Sequence, residues 1–306
     1  MILIDFLNKK ANHLAQRDLL TNVYGFARVV IAIGTLITFI FNNSTILFSN
    51  QLYHYNSLGN DFLTRINFFS LFIDHLNLAR IIAIGILLSV IAGWRPRITG
   101  IFHWYITYSF YQSCNYLDGG DQIASILSLF LIPFCLLDNR KWIWEKHRTV
   151  LKSYWNIFLN ILYFVIRLQV CIIYFQAGIA KMGVTEWVNG TAIYYWSANS
   201  SYGAPDWLRP FVISVLSNAY LVVLITWGTM IFEVILGMSI MMKRNNWNWK
   251  ILLVIGILFH FGIIIIHGLI SFFFSMTACL ILYLYPLDQN IRFNRLMTFL
   301  KPSYTP

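Results

Sequence analysis

The chain has 306 residues, of which 58% are hydrophobic and 11% are charged, and its formal net charge is +10. Soluble domains carry about 25% charged residues, so this composition excludes an ordinary soluble protein and is typical of an integral membrane protein. The first twenty residues hold five charged side chains, which is too polar for the apolar centre of a cleavable signal peptide. We therefore expect the first apolar span to act as an uncleaved insertion signal.

Apolar segments recur along the chain and predict an all-α fold, a polytopic membrane bundle of about eight transmembrane helices. Several segments are shorter than the ~20 residues that cross a bilayer squarely. They need to extend into flanking polar residues, and a broken or re-entrant helix near Leu78–Ile91 is an alternative. The expected spans are Val23–Phe41, Leu78–Ile91, Ile98–Cys114, Gln122–Leu137, Ile157–Ile179, Leu221–Met242, Ile251–Ile266 and Phe272–Tyr285.

Two long outer loops separate some of these spans, Asn42–Asn77 and Met182–Pro210, and both are rich in aromatic residues. Segments such as Phe62–Phe72 mix apolar and polar residues in a way that favours interfacial helices on the outer side. We expect the two loops to pack together as a cap over the bundle.

Lysine and arginine are distributed unevenly between the two sides that the spans define. With the N-terminus in the cytoplasm, cytoplasmic segments hold 16 of these residues and outer segments hold four. This bias fits the positive-inside rule for a multi-pass cell membrane protein with both termini inside, so the net charge implies no nucleic-acid partner. The sequence predicts one membrane domain over residues 1–306, with cytoplasmic segments at 1–20 and 286–306, and its Ile, Asn and Phe richness hints at a Gram-positive source.

Ionisable groups at membrane depth are candidates for functional sites because lipid cannot solvate them. In the fifth span, polar and small residues recur every three or four positions from Arg167 to Lys181, so they share one helical face. We therefore expect this span to be central in the bundle. The candidate catalytic residues are Lys181, Asp121, His260 and Glu233; the candidate positioning residues are Arg167, Gln176, Trp187 and Gly190; other polar residues within spans are Arg28, His103, Gln169 and His267.

Each candidate also has a structural interpretation. Arg167 and Glu233 can form a buried ion pair between the fifth and sixth spans, and His260 can hydrogen-bond a neighbouring helix. Asp121 can cap the fourth span or pair with Lys181 at the same outer depth. Lys181 either snorkels to the interface or acts as a base.

Cysteine, histidine and carboxylate residues are scattered, and no HExxH or comparable spacing predicts a metal site. The four cysteines fall within spans and include no CxxC motif, so we expect them to pack as small apolar side chains. They are Cys114, Cys135, Cys171 and Cys279. Cys171 is the one to test, because it shares the face of Lys181.

Three segments of the sequence are distinctive: TNVYGFARVVIAIGTLITFIFNN at Thr21–Asn43, DGGDQIASILSLFLIPFCLLDNRKWIW at Asp118–Trp144 and IIYFQAGIAKMGVTEWVNGTAIYYW at Ile172–Trp196. Together they resemble the SdpB family of bacterial sporulation-delaying toxin systems. The resemblance implies a membrane protein required for the maturation of a secreted peptide toxin, an SdpC-like precursor, together with a small SdpA-like partner. It leaves open whether the protein performs the chemistry or holds and presents the precursor.

The segment Phe232–Pro286, with FEVILG, ILFHFG and HGLISFFFSMTACL, resembles the wider HTTM superfamily, which includes vitamin K-dependent gamma-carboxylase. The carboxylase lysine that deprotonates the vitamin K hydroquinone lies in an AGxxK…W..G context. The residues here that fit this context are Ala177, Gly178, Lys181, Trp187 and Gly190.

The same resemblance places His260 in a matching FH context and Glu233 where that family has an acidic residue. The sequence also departs from the carboxylase, which has a histidine near the position of Asp121 and a large lumenal domain for the substrate propeptide. The resemblance therefore implies a lipid or quinone pocket more than carboxylation itself, and the sequence requires no cofactor.

The first expectation is thus a maturation factor for a peptide toxin, with Lys181 as its outer polar centre. A second is a membrane enzyme that uses a lipid quinol, with Lys181 as the base. A third is a non-catalytic immunity or transport protein, and the lack of paired discontinuous helices in the sequence weakens transport.

Overall fold

The computed structural model describes residues 2–48, 66–147, 150–242 and 247–291, and within these ranges the regular secondary structure is helical apart from one antiparallel bridge between Trp94 and Trp142. The all-α prediction is confirmed. The α-helices are α1 Ile2–Gln16, α2 Asn22–Phe41, α3 Ser44–Phe48, α4 Phe68–Leu71, α5 Leu76–Ala92, α6 Pro96–Ser113, α7 Gly119–Leu137, α8 Ser153–Lys181, α9 Thr185–Val188, α10 Ala192–Ala198, α11 Arg209–Leu216, α12 Ala219–Met238, α13 Asn248–His267 and α14 Ile270–Leu284. Short 3₁₀ turns at Ile73–His75 and Ser239–Met241 adjoin α5 and α12.

Six helices in the described ranges are long and apolar enough to cross a membrane, namely α2, α5, α7, α8, α12 and α13. The chain is therefore a multi-pass helical membrane protein. The expected third and eighth spans also form helices, but α6 carries many hydroxyl side chains and α14 has only 15 residues. α5 is continuous over its whole length, so the alternative of a broken helix in this segment is wrong.

The helices α2 and α14 form the centre of the bundle. α2 begins after Thr21, whose hydroxyl accepts a hydrogen bond from the Val23 N–H and so caps the helix. It packs against α14, α5 and α7. Every residue from Ser275 to Leu284 in α14 is buried, so neighbouring helices rather than lipid surround this short helix.

The expectation that the fifth span is central is wrong for α8. This helix packs against α12, α1 and α14 and exposes its other face through residues such as Phe164, Ile172 and Phe175. The polar and small residues from Arg167 to Lys181 that recur every three or four positions follow one stripe of α8, and one stripe that packs on neighbouring helices is enough to shelter them.

An aromatic cluster joins the described residues between α2 and α5 to α2 and α6. Phe69 stacks on Phe48 with ring centroids 4.4 Å apart, and Phe39 meets Phe110 edge to face at 4.9 Å. Phe68 is buried as well, so the described part of the segment 62–72 packs against the bundle. Its position at the membrane interface stays a prediction, and residues 49–65 lie outside the described residues. The described parts of the two predicted outer loops pack mainly on different helices, since α4 contacts α5 and α6 whereas α10 contacts α11 and α12.

A buried ion pair organises the opposite end of the bundle, where α2 begins and α7 ends. The carboxylate of Asp138 accepts hydrogen bonds from Nη2 of Arg140 at 2.6 Å and from the hydroxyl of Tyr24. Arg140 also donates to the carbonyl oxygens of Thr21 and Ile143. Burial raises the pKa of the Asp138 carboxyl, but hydrogen bonds from Arg140 and Tyr24 and the charge of Arg140 together hold this pKa below its ordinary value. We call this the basic end, and its cations include Arg17, Arg95, Arg97, Arg140 and Lys152.

Candidate functional site

Lys181 and Glu233 form a largely buried ion pair where α8 ends. The Nζ atom of Lys181 lies 2.6 Å from Oε2 and 2.8 Å from Oε1 of Glu233 on α12. The side chain turns back along its own helix and also donates to the carbonyl oxygen of Ala177 at 3.2 Å. The exposed fractions of the side chains are 24% for Lys181 and 10% for Glu233. A snorkelling lysine extends its amine past the end of its helix toward water. The amine of Lys181 instead points back toward Ala177 and Glu233, so Lys181 does not snorkel.

Two glycines allow α8 and α12 to approach closely enough for this pair. A Cβ atom at Gly178 would lie 2.7 Å from Cγ2 of Val234 and 2.9 Å from the carbonyl oxygen of Met230. A Cβ atom at Gly237 would lie 2.8 Å from Cβ of Phe175. Because each glycine faces the other helix, their backbones meet in direct contact and fix the relative level of Lys181 and Glu233.

The chain that follows α8 folds over the ion pair. The ring centroid of Trp187 lies 5.3 Å from Nζ of Lys181, and this tryptophan is only 7% exposed, as expected for a cation–π contact. Gly190 has a φ angle of +77° and packs against Val223, a backbone conformation that favours glycine. The helices α9 and α10 thereby pack on α12. Trp187 thus lies beside Lys181, whereas Gly190 contacts α12 at Val223, ten residues before Glu233; that these two residues position the site stays a prediction.

A second polar pair lies about 10 Å deeper along α8, at Tyr174, seven residues before Lys181. The hydroxyl of Tyr174 lies 2.8 Å from Nε2 of His260 on α13, and the two residues are 1% and 2% exposed. The ring of Phe272 lies 5.5 Å from the imidazole. Nδ1 of His260 has no hydrogen-bond partner within the described ranges. His260 therefore has the partner on a neighbouring helix that its structural interpretation requires.

A pocket of about 590 Å³ opens beside Trp187, whose ring also contacts Lys181. Four aromatic rings line it together with a carboxylate, hydroxyl groups and amides. The residues that matter for its chemistry are Glu186, Trp187, Asn189, Tyr195, Trp196 and Tyr202. Apolar rings with a few polar groups among them are typical of a binding site.

The expected ion pair between Arg167 and Glu233 does not form. Arg167 precedes Lys181 by 14 residues, about 21 Å along α8, and Glu233 is already held by Lys181. Nε of Arg167 instead donates to the carbonyl oxygen of Tyr283 at 3.3 Å. The sequence prediction placed Glu233 at the level of Arg167. The short helices α9 and α10 pack beside the first turns of α12, so Glu233, further along α12, lies at the level of Lys181.

Asp121 belongs to a capping box rather than to an ion pair with Lys181. The residue that caps α7 is Asp118, whose Oδ1 accepts from the N–H groups of Gly120 at 2.7 Å and of Asp121 at 3.1 Å. Oδ2 of Asp121 in turn accepts from the N–H of Asp118 at 3.1 Å. Ser271 of α14 donates to the other oxygen of Asp118, so the capping box also links α7 to α14. The sequence predicted Asp121 as the cap, but the cap is Asp118, three residues earlier, because Gly119 and Gly120 belong to the helix.

Gln176 is exposed on α8 and does not position the site as expected. Gln176 is two residues from both Tyr174 and Gly178, which lie on the buried face. Two residues correspond to a rotation of about 200° around the helix axis, so Gln176 points away from that face. Glu186 and Tyr202, which line the pocket, were missed by the sequence reasoning, although the aromatic-rich loop around them gave a signal. His267, seven residues after His260 on α13, contacts the carbonyl oxygen of Tyr202 through Nδ1 at 2.8 Å.

All four cysteines are free thiols, and Cys171 is the only one of them that is not buried. Within the described ranges, no three His, Cys, Asp or Glu residues come together in a way that could hold a metal ion. The chemistry that the described residues offer at this site is therefore that of an amine, a carboxylate, an imidazole and aromatic rings.

The fold and the site define a polytopic helical membrane protein that keeps a lysine–carboxylate pair inside its bundle, beneath an aromatic segment. The chain belongs to the HTTM domain family, whose model matches residues 71–287. It is 36% identical over 276 residues to the sporulation-delaying protein SdpB of Bacillus subtilis (strain 168), which covers 89% of this chain and 84% of SdpB. It is also 35% identical over 288 residues to the uncharacterized protein YitO of the same organism, covering 91% of this chain and 90% of YitO. The expected relationship to SdpB is confirmed, and no solved structure matches the chain.

Proposed function

We propose that this protein matures a secreted peptide toxin at the outer face of the cell membrane of a Gram-positive bacterium. In this proposal eight spans cross the membrane as one domain, both termini are cytoplasmic, the precursor is SdpC-like, and a small SdpA-like protein is the partner. Similarity to SdpB supports this setting. The observation that carries the site is the ion pair of Lys181 and Glu233 beneath Trp187. A buried ion pair stabilises a fold little better than apolar side chains do, so its presence favours a working role.

The precursor binds in the pocket beside Trp187. The aromatic rings give an apolar peptide segment a large contact area, and the amide of Asn189 and the carboxylate of Glu186 can bond its backbone or polar side chains. Because Trp187 lines the pocket and also contacts Lys181, a bound peptide lies next to the ion pair.

The ion pair gives the lysine a way to change its protonation state. The proton on Nζ of Lys181 can move along the 2.6 Å hydrogen bond to Oε2 of Glu233, which leaves a neutral amine and a protonated carboxyl. The amine can then act as a base, and the ionised pair can hold a polar group of the precursor in place.

The same geometry favours a second candidate function, a membrane enzyme that uses a lipid quinol. A lysine that deprotonates a quinol must first be neutral, and Glu233 is the acceptor that makes it so. Lipid extraction of the purified protein, followed by mass spectrometry, tests this candidate. A stoichiometric isoprenoid quinone supports it, and its absence from an active preparation contradicts it.

Secretion by cells that express the precursor and the SdpA-like partner, with and without this protein, tests the proposed function. We expect the mature mass of the secreted peptide only when the protein is present. Trp196→Ala, in the pocket, should reduce the mature fraction at unchanged protein level, whereas Trp207→Ala, at an 80% exposed residue, should not. Maturation without the protein, together with protection of cells that express it alone, would establish an immunity protein instead.

A further inference from the structure

A second buried polar cluster lies near the basic end, between α2, α6 and α7, and the proposed function does not use it. Arg28 of α2 is 3% exposed and His103 of α6 is fully buried. Nη2 of Arg28 donates to Oγ1 of Thr99 at 3.1 Å. Thr99 and His103 are one turn apart on α6 and share a face, and the imidazole lies within electrostatic range of the guanidinium.

This cluster has more hydrogen-bond donors than acceptors. Neither ring nitrogen of His103 has a partner within the described ranges, and Thr99 is the one partner of Arg28 there. The neighbouring hydroxyls of Thr107 and Ser128 bond each other at 2.8 Å and also bond helix carbonyls. Because buried polar groups are nearly always hydrogen-bonded, the two unpartnered ring nitrogens of His103, next to the cationic guanidinium of Arg28, point to a hydrogen-bonding group from outside the chain.

The charge of the cluster is also unbalanced. No carboxylate of the described residues lies within 4.0 Å of Arg28. Asp138, which hydrogen-bonds Tyr24 one turn along α2 from Arg28, is neutralised by Arg140. A positive charge therefore remains, and the N-terminus of α6, near Thr99, adds the positive end of a helix dipole. Unpaired cations inside a membrane bundle are rare, so an anion is favoured over water.

We propose that Arg28 and His103 bind a phosphate-type anion at the basic end, either the headgroup of an acidic phospholipid or free inorganic phosphate. The hydroxyl of Thr99, which donates to the carbonyl oxygen of Trp94 and accepts from Arg28, holds the guanidinium in place. Guanidinium binds two phosphate oxygens at once, and an imidazole N–H provides a further donor. Arg28 and His103 each lie about 10 Å from the first residue of their helices. A lipid phosphate drawn slightly into the bundle, or a small anion entering between α2 and α6, reaches this depth.

Thermal unfolding of the full-length, delipidated protein in detergent tests the proposal. The probes are phosphatidylglycerol against phosphatidylcholine, and inorganic phosphate against gluconate at equal ionic strength. We expect one acidic probe to raise the midpoint by about 5 °C at a hundredfold excess over its dissociation constant. A response to phosphatidylglycerol identifies a lipid site, and a response to inorganic phosphate identifies a free-anion site.

Two variants and one control keep the result specific. Arg28→Gln should weaken the response about tenfold or more, since a charged hydrogen bond is lost, whereas Arg97→Gln, at an exposed arginine of the same end, should not. If Arg28→Gln does not fold, His103→Phe tests the proposal in its place. It should weaken the rise in the unfolding midpoint caused by the acidic probe, because His103 contacts the anion. A response to phosphatidylglycerol or inorganic phosphate that His103→Phe leaves unchanged, or equal midpoints in all four probes, would overturn the proposal and leave hydration as the explanation.

Discussion

Nζ of Lys181 lies 2.6 Å from Oε2 of Glu233, although 52 residues separate the two along the chain. This contact joins the last residue of α8 to the interior of α12. The ring of Trp187 covers it, and the close backbone contact at Gly178 fixes its level. The pair thus links the helix packing of the bundle to the pocket that opens beside Trp187.

Removal of one partner of this pair should destabilise the protein more than removal of both. Lys181→Met or Glu233→Gln leaves the remaining group unpaired in a largely buried place, and we expect each to lower the free energy of unfolding by about 3 kcal/mol. The double variant Lys181→Met with Glu233→Gln should lose clearly less than the sum of the two single losses. Unfolding in detergent measures all three, and strictly additive losses would show that the two side chains do not interact.

A methyl group at Gly178 should separate α8 from α12. The added Cβ would lie 2.7 Å from a side-chain atom and 2.9 Å from a backbone oxygen, so Gly178→Ala should cost about 1–3 kcal/mol of unfolding free energy. Gly228→Ala, on α12, is the matched control because nothing lies within 4 Å of its Cβ, and it should be neutral or stabilising. Equal melting midpoints for the two variants would contradict the close contact.

Tyr174→Phe should remove the hydrogen bond that, among the described residues, holds the imidazole of His260. An unsatisfied buried group costs about 1–3 kcal/mol, so the variant should unfold at a lower temperature. Tyr220→Phe, at an 88% exposed tyrosine, controls for loss of a hydroxyl and should unfold like the unaltered protein. No difference between the two would indicate that the imidazole does not depend on Tyr174.

The sequence predicted the helices well and the pairing of polar residues poorly. Apolar runs locate helices within a few residues because burial and lipid act on local composition, as the match of Ile251–Ile266 to α13 shows. Which polar residues meet depends on how far one helix is shifted along another. Gly178 and the packing of α9 and α10 on α12 fix that shift, and together they place Glu233 beside Lys181 instead of Arg167. These contacts are made between distant segments and leave no periodic signal.

The ion pair at the basic end should make stability depend on pH in acid. The folded-state pKa of Asp138 lies below its unfolded value of about 3.9, so its contribution is fully present above that value and is lost as pH falls through the folded pKa. Compared with Asp138→Asn, the unaltered protein should keep a constant advantage of about 3 kcal/mol from pH 5 to 8. Below roughly pH 4 the advantage should shrink. An advantage that grows toward low pH in detergent melting curves would contradict this assignment.

The mass of the peptide secreted by cells that carry Lys181→Ala, at matched membrane levels of the protein, tests the central claim most directly. Lys152→Ala, at the exposed opposite end of α8, is the control and should leave the mature peptide unchanged. If Lys181 and Glu233 form the working site, Lys181→Ala yields only unprocessed precursor. Fully mature peptide from that variant would contradict the claim and would assign the ion pair to the architecture of the bundle alone.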